Sequence, residues 1–332
     1  MTTKPLKSLV AAYKQPRAFR ANWQIVNSVG VYLALWCAMA WTVTVSWWLT
    51  IPLAVFAGMM LVRVFIIFHD CGHGSFFKSR KANNFWGVVT GVLTFTPYED
   101  WRAAHAAHHA ANGNLDKRGV GDVWTMTVKE YQESSAWRRL RYRIVRNPIV
   151  LLGVAPLLMF VFDHRFPSKR ATAREKRSVW TTTAAIVVVG AALSLVFGFL
   201  TYLALQLTVL AVAGAIGIWL FYSQHQFEGV YWQRGEAWSY EDAAMQGSAF
   251  LRLPKVLQWL TGNIGFHHIH HLDSRIPNYN LQACHESNPL FQQVSQLTIF
   301  RSLRAFGLKL WDEETGKLIH FRQLRQRRRG VA

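Results

Sequence analysis

Residues 31–51, 52–68, 179–200 and 202–222 are four apolar runs, and no other feature restricts the fold of this chain as strongly. A helix needs about 20 mainly apolar residues to cross a bilayer. In hydrocarbon every backbone N–H and C=O must find a partner within the segment, so such runs predict spanning helices. The first two runs follow each other almost without a loop. The second two are joined by "GFLTY", which carries no charge. Each pair is expected to form a hairpin. Arg63, near the end of the second run, is expected to snorkel to the interface. A polar, basic stretch of roughly 25 residues precedes the first run and is longer than the n-region of a signal peptide, so the run reads as a retained anchor.

Two shorter runs, 85–97 and 148–162, lie between the hairpins. The first is broken by Gly87, Gly91 and Pro97. The second is flanked by "RRLRYRIVR" and by "HRFPSKRATAREKR". If it crossed, one of these basic clusters would face outward, against the positive-inside rule. Both runs are therefore expected to be interfacial or re-entrant, giving four spans with both termini and all long loops in the cytosol. The charge balance agrees: 37 Lys+Arg stand against 18 Asp+Glu in a chain that is 51% hydrophobic with 15 Trp. Basic residues at the cytosolic edge and Trp at the interfaces are membrane-protein habits. The charges flank apolar spans and form no basic stripe interleaved with aromatics, so nucleic acid is not an expected partner. Cys37, Cys71 and Cys284 are scattered and suit a reducing cytosolic face.

Histidine supplies the chemistry. "HAAHH" at 105–109 and "HHIHH" at 267–271 both contain H-x-x-H-H. A random chain with 13 His in 332 residues would hold about 0.02 copies of that pattern. On a helix, His105, His108 and His109 share a face, as do His267, His270 and His271. "HDCGH" puts His69 and His73 at i and i+4, and His225 follows the fourth run. All these clusters fall on the expected cytosolic side. Nine imidazoles are too many for one ion and enough for two. Imidazole suits Zn, Cu, Fe and Ni alike. The H-E-x-x-H zinc signature is absent, because Asp70 and Cys71 follow His69. Two irons fit the ligand number better and would add redox chemistry with dioxygen. His164, His268, His285 and His320 match no spacing and read as surface or supporting residues.

The boxes "HDCGH", "HAAHH" and "HHIHH", with "QHQFE" between the last two, resemble those of the membrane-bound fatty acid desaturase family. The bacterial and plastid acyl-lipid type, of the Δ12 or omega-6 kind, is most similar. The likeness runs roughly over 63–285 and includes "WLTGNIGFHHIHHL" and "RIPNYNLQACHE". It implies an all-α integral membrane protein whose four transmembrane helices form two hairpins under a cytosolic helical cap holding a di-iron site. The expected divisions are a basic N-terminal segment (1–30), hairpin one (31–68), cytosolic and interfacial helices with two boxes (69–178), hairpin two (179–222) and the cap (223–332).

The implied ligands are His69, His73, His105, His108, His109, His225, His267, His270 and His271. The implied reaction uses O2 to place a cis double bond in an acyl chain of a membrane lipid. Asp70 and Glu228 are candidate acceptors for the free N–H of ligand imidazoles, and Asn263 lies near the last box. Animal acyl-CoA members carry an Asn one helical turn before the histidine that matches His225, and this chain has Phe221 there. No H-P-G-G cytochrome b5 signature occurs, so a separate ferredoxin-like electron donor is expected, met by basic surfaces such as "RQLRQRRR" at 322–329. "NFWGVVTGVLTFTP" at 84–97 is a candidate wall for the acyl chain. A lipid hydroxylase or ketolase would share the boxes. A metal transporter fits less well, since its ligands belong near the midplane and these histidines lie outside the apolar runs.

Overall fold

The computed structural model describes residues 6–328, so Arg329 of the basic run and the first five residues lie outside the described part. Its main helices, in chain order, are α1 (Ala18–Thr42), α2 (Trp47–His73), α3 (Arg80–Leu93), α4 (Tyr98–Ala111) and α5 (Ala136–Val145). They are followed by α6 (Ala173–Phe197), α7 (Phe199–His225), α8 (His267–Leu272), α9 (Asn278–Glu286) and α10 (Phe321–Arg328). Four of them, α1, α2, α6 and α7, are long and apolar enough to cross a membrane. The helix pair Ala136–Val145 and Val150–Arg165 is bent by 63° at its break.

The spanning helices begin and end away from the edges of the apolar runs. An amphipathic turn at Ala18–Ile25, burying Ala21, Gln24 and Ile25, leads through a π-helical turn at Val26–Gly30 into the first run. The first hairpin turns at 43–46 rather than at Pro52. Ser46 caps α2 by accepting the Trp48 N–H at 3.2 Å, and Pro52 sits inside the helix, where it removes a single backbone bond. The second hairpin needs one residue only: Gly198, at φ +78°, separates α6 from α7. A Thr172–Glu175 capping box starts α6 in the polar stretch before its apolar part.

Helix α2 lies between α1 and α7 and carries most of the apolar core, including Ala57, Met60, Val64, Ile67 and Phe68. Its contact with α7 is backbone-close. A Cβ on Gly58 would fall 2.6 Å from that of Val212, the small-residue packing by which membrane helices associate. Helix α3 folds back along α2, and α6 packs on α4 and α7. The expected acyl-chain wall, 84–97, is filled on its glycine face: Gly87 meets the Tyr98 ring and Gly91 meets Phe68 and the Thr96 carbonyl. The cap above these helices holds short strands as well as helices. Met126–Thr127 runs parallel to Leu310–Asp312, which pairs antiparallel with Lys317–Ile319.

Two arginines sit where composition alone would not put them. Arg63 does not snorkel. It is buried, donates to Ser28 Oγ at 3.0 Å, to Asn27 Oδ1 at 3.4 Å and to the Trp259 carbonyl, and stacks on the Trp259 ring at 4.1 Å. It thereby ties the π-turn of α1 to the cap. Arg146, counted above in a basic flank, is fully buried and binds the Trp124 and Leu308 carbonyls and Gln226 Oε1. Replacing Arg63 by Met leaves its acceptors without a donor and is expected to cost about 3 kcal/mol. Thermal unfolding of purified protein in detergent measures the loss.

Candidate metal centre

Helix periodicity places the first five histidines. His69 and His73 end α2, which stops at Gly74 in a left-handed conformation, φ +69°. Their rings lie 4.7 Å apart on one face. His105, His108 and His109 lie on α4, where Trp101 one turn earlier stacks on His105 at 4.3 Å. His225 is the last residue of α7, and α8 contributes His267, His270 and His271 from a helix whose residues are all buried.

Tertiary packing sorts these residues into two groups. Ring nitrogens of His69, His73, His105, His109 and His270 all lie within 4.8 Å of one another, and so do those of His108, His225 and His271. His267 joins the second group, its Nε2 being 2.9 Å from His225 Nε2. Further Nε2 pairs stand at 3.0 Å (His270–His109), 3.1 Å (His109–His105) and 3.2 Å (His108–His225). The groups touch where the rings of His109 and His271 stack at 4.2 Å.

The donor set fits metal ions. His108 Nδ1–H donates to Asp122 Oδ1, and His225 Nδ1–H donates to the Gly247 carbonyl at 3.3 Å. Each ring then presents a lone pair at Nε2, and the two lone pairs face each other at 3.2 Å. A metal cation bound to both would satisfy them. With metal–imidazole bonds of about 2.1 Å, two ligands at right angles sit about 3.0 Å apart, which matches the separations found. Other ring nitrogens, including His73 Nε2, His267 Nδ1 and His270 Nδ1, are buried without a partner. Burial and neighbouring imidazoles push His105, His109, His267, His270 and His271 well below the usual histidine range. They are held neutral, as metal ligands must be.

The surrounding residues depart in part from expectation. Asp70 does reach a box histidine: its Oδ1 accepts from His69 Nδ1 at 3.0 Å, while Oδ2 accepts the backbone and side-chain N–H of Asn278 at 2.6 and 2.8 Å. Asn263 acts one step further out. At φ +59° it binds the Asn278 carbonyl at 3.2 Å and touches no histidine. Glu228 is exposed and reaches no imidazole: α7 ends at His225, Gln226 and Phe227 after it are buried, and Glu228 lies on the surface beyond them. Asp122, which was not among the expected residues, fills the role expected of Glu228. No periodicity links this residue to a box, since it reaches His108 from an irregular loop. That loop is held from the side by Arg146 through the Trp124 carbonyl. Phe221 packs on the rings of both His108 and His225 at 5.1 Å, so an apolar ring stands where the animal members have Asn.

The remaining histidines lie outside the cluster. His268 and His285 are buried rather than surface residues and pair with each other at 3.0 Å. Burial drops His268 to about 3. His164 meets the Phe95 carbonyl at 3.3 Å, and His320 is exposed.

Two outcomes are expected. Asp122→Asn should weaken metal retention by about 10- to 100-fold, read as metal content after a chelator challenge, whereas His268→Ala should leave it unchanged. Metal-free protein should also lose thermal stability as pH falls. Unfolded imidazoles take up protons below about 6.5, whereas the buried ones, with depressed pKa, stay neutral. Stability is therefore full above that pH and is lost progressively below it, which a pH series of melting curves tests.

The model of the family "Fatty acid desaturase" matches residues 46–298. The chain is 43% identical to a fatty acid desaturase of Bacillus subtilis over 97% of its own length and 92% of the relative's. It is 26% identical to an sn-1 oleoyl-lipid 12-desaturase of Synechocystis, over 72% of this chain and 68% of that one. A Synechocystis sn-1 acyl-lipid omega-3 desaturase (ferredoxin) is 28% identical, over 80% and 75%.

Proposed function

This chain belongs to the fatty acid desaturase family, and we propose that it uses O2 and two histidine-held irons to introduce a cis double bond into an acyl chain of a membrane lipid. The observation that carries the metal assignment is the pair of opposed lone pairs on His108 and His225, whose other ring nitrogens are both engaged as donors. In this reading His69, His73, His105, His109 and His270 hold one iron, and His108, His225, His267 and His271 hold the other. Bound and reduced, the irons would turn O2 into an oxidant strong enough to take hydrogen from an unactivated methylene, which no side chain can do.

The protein's part is position and exclusion. Asp70 and Asp122 orient His69 and His108 by accepting hydrogen bonds from their Nδ1–H groups, so that Nε2 stays free to bind. Phe221 and the Trp101 ring wall off the imidazoles with apolar surface, which limits water where a reactive oxidant forms. Acyl-lipid substrates are supported by the names of the cyanobacterial relatives, and a ferredoxin-like donor by one of them. Basic surface is available for an acidic donor: Arg138 and Arg141 on α5, and Arg322 and Arg325 on α10, are exposed. Arg327 is already paired with Asp312 at 2.8 Å. Four spans with both termini and the site on the cytosolic side, and 148–162 at the interface, complete the reading. The exposed Trp137, Leu140 and Ile144 on one face of α5 are consistent with that placement.

Gas chromatography and mass spectrometry of lipids from an expressing host test the reaction. A new cis alkene is expected, and it should vanish with His108→Ala or His270→Ala while the protein still inserts. A hydroxylated or keto product would instead assign the chain to that branch of the chemistry. For the donor, product formation in neutral-lipid nanodiscs with ferredoxin, its reductase and NADPH should fall steeply with added salt. A salt-independent rate overturns electrostatic docking. Cysteines placed near Arg143 and Lys169 should both be labelled from the cytosolic side, and outside labelling of either adds a crossing.

A further inference from the structure

A cavity of about 300 Å³ opens beside His73, the last residue of spanning helix α2. Its wall includes Lys78, Arg80, Arg102, Asn84 and Tyr98, and no carboxylate. Lys78 and Arg80 are exposed, and among the described residues neither makes an ion pair or hydrogen bond. The Asn84 side chain is also free of hydrogen bonds there. Arg102 is only partly neutralised: its Nη1 is 3.5 Å from Glu99 Oε2, and Glu99 also accepts from Arg174 at 2.5 Å. Arg80 opens the 14-residue helix α3, whose first amides add a positive helix end beyond the Ser79 cap. Three cations around a concave space, without a countercharge on its wall, form an anion site.

The level of the cavity says which anion. It lies where α2 leaves the apolar layer, which is headgroup depth. Further along α3, Phe85 and Val88 are 61% and 49% exposed while Asn83, Gly87, Thr90 and Gly91 are buried, as expected of side chains that meet lipid tails. A molecule with its tail beside Phe85 and its charge at the start of α3 is an acyl chain bearing a phosphate. We propose that this cavity binds the phosphate of the acyl substrate and so holds the substrate's head beside the five-histidine group. The proposal rests on the desaturase reading and adds the headgroup chemistry to it. A phospholipid and a soluble phosphate-bearing thioester such as acyl-CoA share that chemistry. An acidic protein is a poorer match, since stable protein contacts cover about 800 Å² per partner and the space is a small recess.

Native mass spectrometry of the detergent-purified full chain tests it, with dioleoyl phosphatidylglycerol, dioleoylglycerol and oleoyl-CoA as probes. Phosphatidylglycerol should be retained in preference to dioleoylglycerol. The double variant Lys78→Gln/Arg80→Gln should lower that retention about tenfold, the scale of one lost charge-assisted contact. Dioleoylglycerol should be unaffected, and Lys78→Arg/Arg80→Lys should restore binding. Both residues are exposed and unpaired, so the variants should fold, and unchanged melting curves verify it. If the substitution affects oleoyl-CoA alone, the phosphate site stands with a soluble source. If it affects neither phosphate probe, the proposal is overturned. It is equally overturned if phosphate binding is untouched while reduction by ferredoxin weakens, because the cations then serve the donor protein. Retention needs no turnover, so a chain that binds the lipid but makes no alkene fails the desaturase reading alone.

Discussion

Ring nitrogens of eight histidines from four helices gather into two close groups, with His267 beside the second, and the rest of the structure is arranged around that convergence. Histidines packed this closely repel one another once charged, and neutral ones meet lone pair to lone pair unless a cation lies between them. The protein meets the first condition by burial, which keeps His105, His109, His267, His270 and His271 uncharged. It meets the second with acceptors placed behind the rings: Asp70 for His69, Asp122 for His108 and the Gly247 carbonyl for His225. Once those outer nitrogens hold the protons, the inner ones are left as free lone pairs facing one another.

Such a centre cannot be built on one element. Each helix contributes a face with two or three ring nitrogens, so α2, α4, α7 and α8 must all end or pass at one place. The membrane supplies part of the alignment, because α2 and α7 lie against each other through Gly58 and both carry a histidine as their final residue. The cap supplies the rest through polar ties. Asp70 reaches Asn278 at the start of α9, Asn263 holds the Asn278 carbonyl, and Arg63 binds the Trp259 carbonyl. Arg146 joins the loop that carries Asp122 to Gln226, next to His225. Apart from the Asn263–Asn278 bond, which lies within the cap, each tie links a membrane helix or its end to the layer above it. A buried arginine or aspartate left without its partners is costly, so these contacts resist sliding of the cap over the spans.

The spans were legible in the sequence because hydrocarbon imposes a length and an apolar composition on any helix that crosses it. Their ends were not. Ser46 and Gly198 set the hairpin turns by local backbone chemistry, and a run of hydropathy does not mark the residue at which a helix changes direction. Arg63 and Arg146 were misread for a related reason. Charge in a sequence is assigned to the surface unless a partner is in view, and their partners are carbonyls and amides far along the chain.

The histidine sets were legible because helical spacing puts i, i+3 and i+4 on one face whatever the tertiary context. Sequence alone therefore determined which residues could act together within each box, and that the boxes belong to one chemistry. Only the fold decided how the boxes divide. His108 stands with His225 and His271, while its neighbour His109 stands with His69, His73, His105 and His270. Adjacent residues on a helix point about 100° apart, so a single helix face can feed two centres, and the packing of α7 and α8 selects which ring goes to which. The same holds for the supporting carboxylates. Asp70 is beside its histidine in sequence, whereas Asp122 meets His108 across a loop and Glu228 turns outward to solvent. Proximity in the chain carries only the first of these, because hydrogen bonds act across space and the path of a loop is set by what it packs against.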